Sequence, residues 1–220
     1  MNRTLVLVAA LVAVLLVGAA GGMLISTART TDDTPPNAAS IDVGFAQDMR
    51  VHHLQAVTMA GIERDNTSDP ILQGFAFDVE STQLAQSSEM AGWLTVWGQP
   101  QLPDAGAPHM QWMSEGGTHT HSNGEGGKTT GSVQRMPGMA TSEELDKLRK
   151  LTGKELDVFF LQLMLRHHEG GLEMAEYAAE HGAKGYVRNL ADKIVQSQEN
   201  EANLMKSYLA ERGAQPLPSP

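Results

Sequence analysis

The stretch Asp42-Val43-Gly44-Phe45-Ala46-Gln47-Asp48-Met49-Arg50-Val51-His52-His53, running on to Met59-Ala60, occurs a second time. It returns as Asp157-Val158-Phe159-Phe160-Leu161-Gln162-Leu163-Met164-Leu165-Arg166-His167-His168, running on to Met174-Ala175. One offset of 115 residues aligns the two without a gap, and it also carries Met90 onto Met205, Leu94 onto Leu209 and Gly98 onto Gly213. Such self-similarity implies two copies of one supersecondary unit. At about 100° per residue, Asp42, Phe45, Met49, His52, His53, Ala56, Met59 and Ala60 fall within an arc of about 120° on a helix. Asp157, Phe160, Met164, His167, His168, Gly171, Met174 and Ala175 do the same. The histidine pairs therefore lie inside the core-facing stripe. A helical hairpin cannot bury such a stripe alone, so the two copies are expected to pack as an all-α four-helix bundle.

Start and stop signals divide the chain accordingly. Ser40 caps a helix from Ile41 to about Arg64, and Asp69 with Pro70 opens a second, which carries Leu72, Phe75, Val79, Leu84, Met90 and Trp93. Gly98 and Pro100 end it, closing a first hairpin over residues 41–98. Residues 99–140 shift to Gly, Pro, Ser and Thr and read as a mobile insert, rich in His and Met. Thr141-Ser142-Glu143-Glu144 fits a capping box that opens a short helix ending at Gly153. A long helix to His181-Gly182 and a last one from Gly185 to Gly213 complete the second hairpin, residues 141–213. Residues 214–220 read as a disordered tail.

The chain has 220 residues and a net charge of −10, which disfavours nucleic acid as a partner and favours cations. It has no cysteine, 12 methionines and 8 histidines. Disulfides, zinc-thiolate sites and thiol nucleophiles are thereby excluded, while thioether and imidazole remain usable in an oxidising compartment. Thr4 to Ile25 is nearly continuous Leu, Val and Ala without charge, long enough to span a bilayer at about 20 residues. Residues 1–26 are read as a transmembrane signal anchor, with a signal peptide cleaved after Ala20 as the alternative. Residues 27–40 follow as a flexible linker. Either way the rest of the chain is expected outside the cytoplasm, tethered to the cell membrane or secreted.

Met49 lies one turn from both His52 and His53, so its sulfur can approach either ring. In di-iron bundles the inward motif is Glu-x-x-His; here methionine takes the glutamate position in both copies. Replacing carboxylate by thioether moves the preference toward copper, Cu(I) above Cu(II). Gly171, on the same face, leaves room for an imidazole. Asp42 and Asp157 suit the first turns of their helices and read as structural. His109, Met110, Met113, His119, His121, Met136 and Met139 in the insert are candidates for a second, flexible copper trap. A ferritin-like metal oxidase and a non-metal cell-envelope interaction protein are the competing functions. There is no nucleophilic triad, phosphate-binding glycine loop or paired-carboxylate signature, so no catalytic residue is assigned.

The doubled Asp-x-x-Phe-x-x-x-Met-x-x-His-His motif, with Met136-Pro137-Gly138-Met139 ahead of the second copy, resembles the domain of unknown function 305 family from Ile41 to Gly213. The resemblance implies a ferritin-like four-helix bundle, an extracytoplasmic location and copper binding. By position it implies Met49, His52, His53, Met59, Met164, His167, His168 and Met174 as the ligands. Partners would be the metal ion, the membrane through the N-terminal helix, and a second copy of the chain or a copper-transfer protein. Two departures from the family stand out: Arg50-Val51 replaces an apolar residue and proline, and Gly171 stands where alanine is commoner.

Overall fold

The computed structural model describes residues 34–114, 121–123, 127–129 and 133–218. The chain divides into a unit of residues 1–35 and a compact unit of residues 36–220, and the second holds the helices described below. The anchor or signal segment 1–26 lies outside the described residues, as do residues 27–33 of the linker. Among the described residues no helix is long and apolar enough to cross a membrane.

The fold is all-α, with five α-helices among the described residues: α1 (Ile41–Asn66), α2 (Pro70–Val96), α3 (Ser142–Leu148), α4 (Gly153–His181) and α5 (Gly185–Glu211). Local chemistry sets their starts. Ser40 accepts from the Val43 N–H, and Asp69 caps Ile71 and Leu72 with Pro70 at the first position of α2. Thr141 and Glu144 form a reciprocal capping box at α3. Gly98 and Gly213 end equivalent helices at φ +66° and +67°, a conformation glycine adopts without a side-chain clash.

α1 pairs with α2, α4 pairs with α5, and the two hairpins meet through α1 and α4. The core forms two apolar clusters. Met49 and Met174 belong to one, with Val43, Phe45 and Met90; Met59 and Met164 belong to the other, with Leu72, Phe75, Phe160 and Met205. Along α1 the histidines lie between Met49 and Met59, and along α4 between Met164 and Met174. The two helices thus cross antiparallel with the four histidines at the junction of the clusters.

The 115-residue offset also relates contacts. Gln47 donates to the Pro100 carbonyl, and Gln162, its equivalent, to that of Gln215. Asp42 receives the Ala183 and Lys184 N–H groups from the α4–α5 loop, while Asp157 receives the Thr67 hydroxyl from the α1–α2 loop. Asp42, in the first turn of α1, and Asp157, one turn further into α4 than its expected first-turn place, therefore each pin the turn of the opposite hairpin.

Four expectations need correction. The insert is not wholly detached: its two ends bury Met110, Trp112, Met113 and Met136 in the cluster of Met49, and Asp48 anchors it. Asp48 accepts from His109 Nδ1 at 2.6 Å, the Met110 N–H at 2.8 Å and Trp112 Nε1 at 2.8 Å. These bonds hold Met110 at φ +64°, unusual for a side chain of its size. A short antiparallel ribbon, His121–Asn123 with Gly127–Thr129, interrupts the all-helical pattern. The tail expected to be disordered is docked at its start, where Gln215 takes the Gln162 bond and Leu217 packs on the core. Lastly, Leu84 is 46% exposed, because the inward stripe of α2 runs through Gln83 and Ser87 instead.

Candidate metal centre

His52, His53, His167 and His168 are all fully buried, as their places in the α1 and α4 stripes require. His52 and His167, equivalent residues of the two copies, stack with ring centroids 3.7 Å apart. Their Nε2 atoms are each held by a main-chain carbonyl: His52 by Pro137 at 3.3 Å and His167 by His52 itself at 3.1 Å. The outer pair reaches to the second helices. His53 Nε2 meets Gln86 Oε1 at 2.8 Å, and His168 Nε2 meets Glu201 Oε2 at 2.6 Å.

All four partners are acceptors, so Nε2 carries the proton in every ring and Nδ1 is left as a bare lone pair. None of the four Nδ1 atoms has a hydrogen-bond partner, although all are buried. Burial first, then the charge His53 would carry, pushes His52 down to about 3. Burial likewise lowers His53 to about 4, against the raising effect of its Gln86 bond. His167 is held well below the ordinary imidazole range by burial and then by His52. Neutral imidazole with a free nitrogen and its other N–H fixed by an oxygen is the form that ligates metal ions.

Room at the rings is provided by glycine. A Cβ on Gly171 would lie 2.8 Å from His52 Cε1 and 3.3 Å from His52 Nδ1. The Met136–Met139 turn presses onto α4 in the same way: a Cβ on Gly170 would lie 2.4 Å from the Pro137 carbonyl group. Gly138 sits at φ +76° with its own Cβ direction filled by the Arg166 carbonyl oxygen at 2.4 Å. This backbone-to-backbone approach delivers the Pro137 carbonyl to His52.

The sequence-assigned methionines divide into pairs flanking the histidines, Met49 with Met174 and Met59 with Met164, all fully buried. Of the insert candidates, Met110, Met113 and Met136 are buried beside the first pair, Met139 is half-buried against them, and His109 is engaged by Asp48. His119 lies outside the described residues, and only the backbone of His121 is described. Among the described residues no three or more His, Asp or Glu side chains converge as a ready-made metal cluster. An ion here would draw on imidazole together with thioether or carboxamide donors, a set that suits a soft or borderline cation.

Sequence reasoning passes over four inward polar residues of the second helices, three of them beside the histidines. Gln83 and Gln198 are both buried with neither amide atom hydrogen-bonded, and Gln198 Oε1 would lie 3.0 Å from the Gly171 Cβ, next to the His52 ring. Gln86 and Glu201 hold the outer rings. The signal that finds them is the repeat itself, since 115 residues separate Gln83 from Gln198 and Gln86 from Glu201.

Comparison with known proteins agrees with this architecture. The model of the domain of unknown function DUF305 matches residues 42–209. A DUF305 protein of Streptomyces coelicolor, described as secreted, has a similar structure, with TM-score 0.71 and 42% identity over 82% of this chain and 99% of its own. A DUF305 fragment from Deinococcus radiodurans gives 0.59 and 28% over 78% and 96%. CopM, solved in a Cu(I)-bound form, gives 0.56 and 21% over 77% and 96%, a likeness of fold. No curated protein matches the chain at the level of sequence.

Proposed function

The chain belongs to the DUF305 family, and from that premise we propose that it is an extracytoplasmic copper-binding protein that sequesters the ion or hands it on. The observation that carries the reading is the set of four buried imidazoles whose Nδ1 atoms have no partner in the protein. Burying polar atoms without partners costs stability, and an ion bound there would supply the missing interaction. His52, His53, His167 and His168 are the nitrogen donors in this reading. Met49, Met174, Met59 and Met164 are the thioethers on either side, and the mixture favours Cu(I). CopM, which shares the fold, has been crystallised with Cu(I), Cu(II) and silver, which supports a soft-metal role. Copper is cargo here; the protein binds it and performs no reaction on it.

The finer architecture belongs to the same proposal. The two hairpins form a ferritin-like four-helix bundle, and residues 1–26 anchor it at the membrane or are removed on export. The buried insert methionines Met110, Met113 and Met136 widen the thioether side next to Met49 and Met174.

The test is copper binding by the protein under reducing conditions, compared with a variant in which His52, His53, His167 and His168 are all alanine. Binding should collapse in the variant. Equal stoichiometry and affinity in the two would refute the central site. Because a ligand specific for the folded state raises the melting temperature, the copper-induced shift should vanish with it.

A further inference from the structure

His53 and His168 hold equivalent places in the two copies, and each gives its Nε2–H to a residue 33 positions onward. The acceptors differ. Gln86 offers a neutral carboxamide oxygen at 2.8 Å, whereas Glu201 offers a carboxylate at 2.6 Å, the shorter of the two bonds, in the direction that a charged acceptor favours. Both rings are fully buried, while the Glu201 side chain is 22% exposed and reaches the edge of the bundle.

A carboxylate draws the Nε2 proton toward itself and raises electron density on the opposite nitrogen, the one left bare here; a carboxamide does so far less. The negative charge also lies behind the ring, in surroundings that screen it weakly compared with water. An ion of higher charge gains more from both effects. Imidazole nitrogen suits oxidised copper, and thioether suits the reduced ion.

Resting on the copper reading above, we propose that Glu201 is a positioning residue that makes the His168 side of the centre the stronger donor and biases it toward Cu(II), leaving the His53–Gln86 side as the one suited to Cu(I). The duplicated centre is thus electronically unequal, through residues that need not touch the ion.

The experiment compares wild type, Glu201→Gln and Gln86→Glu in the full chain. Cu(I) affinity is measured by competition with bicinchoninate, Cu(II) affinity by competition with nitrilotriacetate, and Cu(II) coordination by electron paramagnetic resonance. Glu201→Gln keeps shape and hydrogen bond but removes the charge. It should weaken Cu(II) by roughly 10- to 100-fold, the usual cost of losing such a partner, and Cu(I) by much less. Gln86→Glu should move the Cu(II)/Cu(I) affinity ratio the other way and change the Cu(II) spectrum. An unaltered ratio in both variants, with wild type binding copper through its histidines, overturns the proposal and leaves the copper reading standing. Wild type that binds neither ion at the histidines overturns both. If Glu201→Gln unfolds, as its circular dichroism would reveal, Gln86→Glu decides alone.

Discussion

Replacing Gly170 by alanine sets two terms of opposite sign against each other. In a helix interior alanine is worth about 1 kcal/mol over glycine. At this position, however, the new Cβ would lie 2.4 Å from the Pro137 carbonyl carbon and oxygen and 2.5 Å from the Gly138 nitrogen. To reach ordinary van der Waals contact the Met136–Met139 turn must retreat by about 1 Å, and it is backbone, not a side-chain tip that can rotate aside. If the turn stays, overpacking costs about 1–3 kcal/mol. If it lifts, it takes with it part of the burial of Met136, worth about 1.5–3 kcal/mol when complete, and the His52 bond to Pro137, worth about 1. After the helix credit the expected loss is about 1–2 kcal/mol. Gly74 and Gly92 in α2 are the controls, since a Cβ at either meets nothing within 4 Å. Alanine there should gain up to about 1 kcal/mol each, a rise of roughly 2–4 °C in Tm for a domain of this size. Urea unfolding of the three variants, followed by far-ultraviolet circular dichroism, separates the cases. A Gly170→Ala protein as stable as Gly74→Ala would refute the backbone contact, and with it the account of how His52 is held.

Two further outcomes follow from polar groups outside the histidine centre. Glu63 is fully buried, and burial first, then the adjacent Asp157 carboxylate and a hydrogen bond to it, push its carboxyl up from 4.5 to about 8. Folded protein therefore keeps a proton that unfolded chain releases, so this residue subtracts stability as pH rises from about 4.5 to about 8. Glu63→Gln should be more stable than wild type at pH 8 by up to about 4 kcal/mol, with the gap closing below pH 4.5; a constant gap across that range would refute the assignment. Asp48→Asn should cost about 2–3 kcal/mol, because one amide cannot accept from His109, Met110 and Trp112 together. Limited proteolysis should then cut first within residues 99–113, and an unchanged cleavage pattern would count against Asp48 as the anchor.

Much of the helical frame can be read locally. The stripe of α1 and α4, the caps at Ser40, Asp69-Pro70 and Thr141, and the glycines that end α2 and α5 are short-range signals, and the histidines face inward because the helical period leaves them nowhere else. The insert is opaque for the opposite reason. Its Gly, Pro and Ser composition describes a chain with little structure of its own, while what orders its ends is tertiary: a buried Asp48 on α1 with three donors to satisfy, and a pocket for Met110, Trp112 and Met113. Composition carries no trace of such a partner. The inward run of α2 misleads in a related way, since Leu84 reads as core and Gln83 as surface. Burial there follows the repeat, which makes Gln83 the equivalent of Gln198, both buried, and hydrophobicity alone misses it.

The same repeat explains why the centre need not be symmetric. Two copies of one hairpin packed through α1 and α4 bring equivalent residues together at the crossing, and the His52–His167 stack is that meeting. An unaltered duplicate would offer an ion two identical flanks. Here the flanks differ at each level: Ala56 against Gly171 for the space beside the inner rings, Gln86 against Glu201 behind the outer ones, and a Pro137 carbonyl on His52 against the His52 carbonyl on His167. The Met136–Met139 turn comes from the one connection between the copies, so it can cover only one side. On the copper reading proposed above, a protein that must also release its ion would gain from such inequality, because a tight flank and a weaker one give the ion a direction in which to leave. If the two flanks bound copper alike, the difference between Gln86 and Glu201 would set no direction of release even though the site remained.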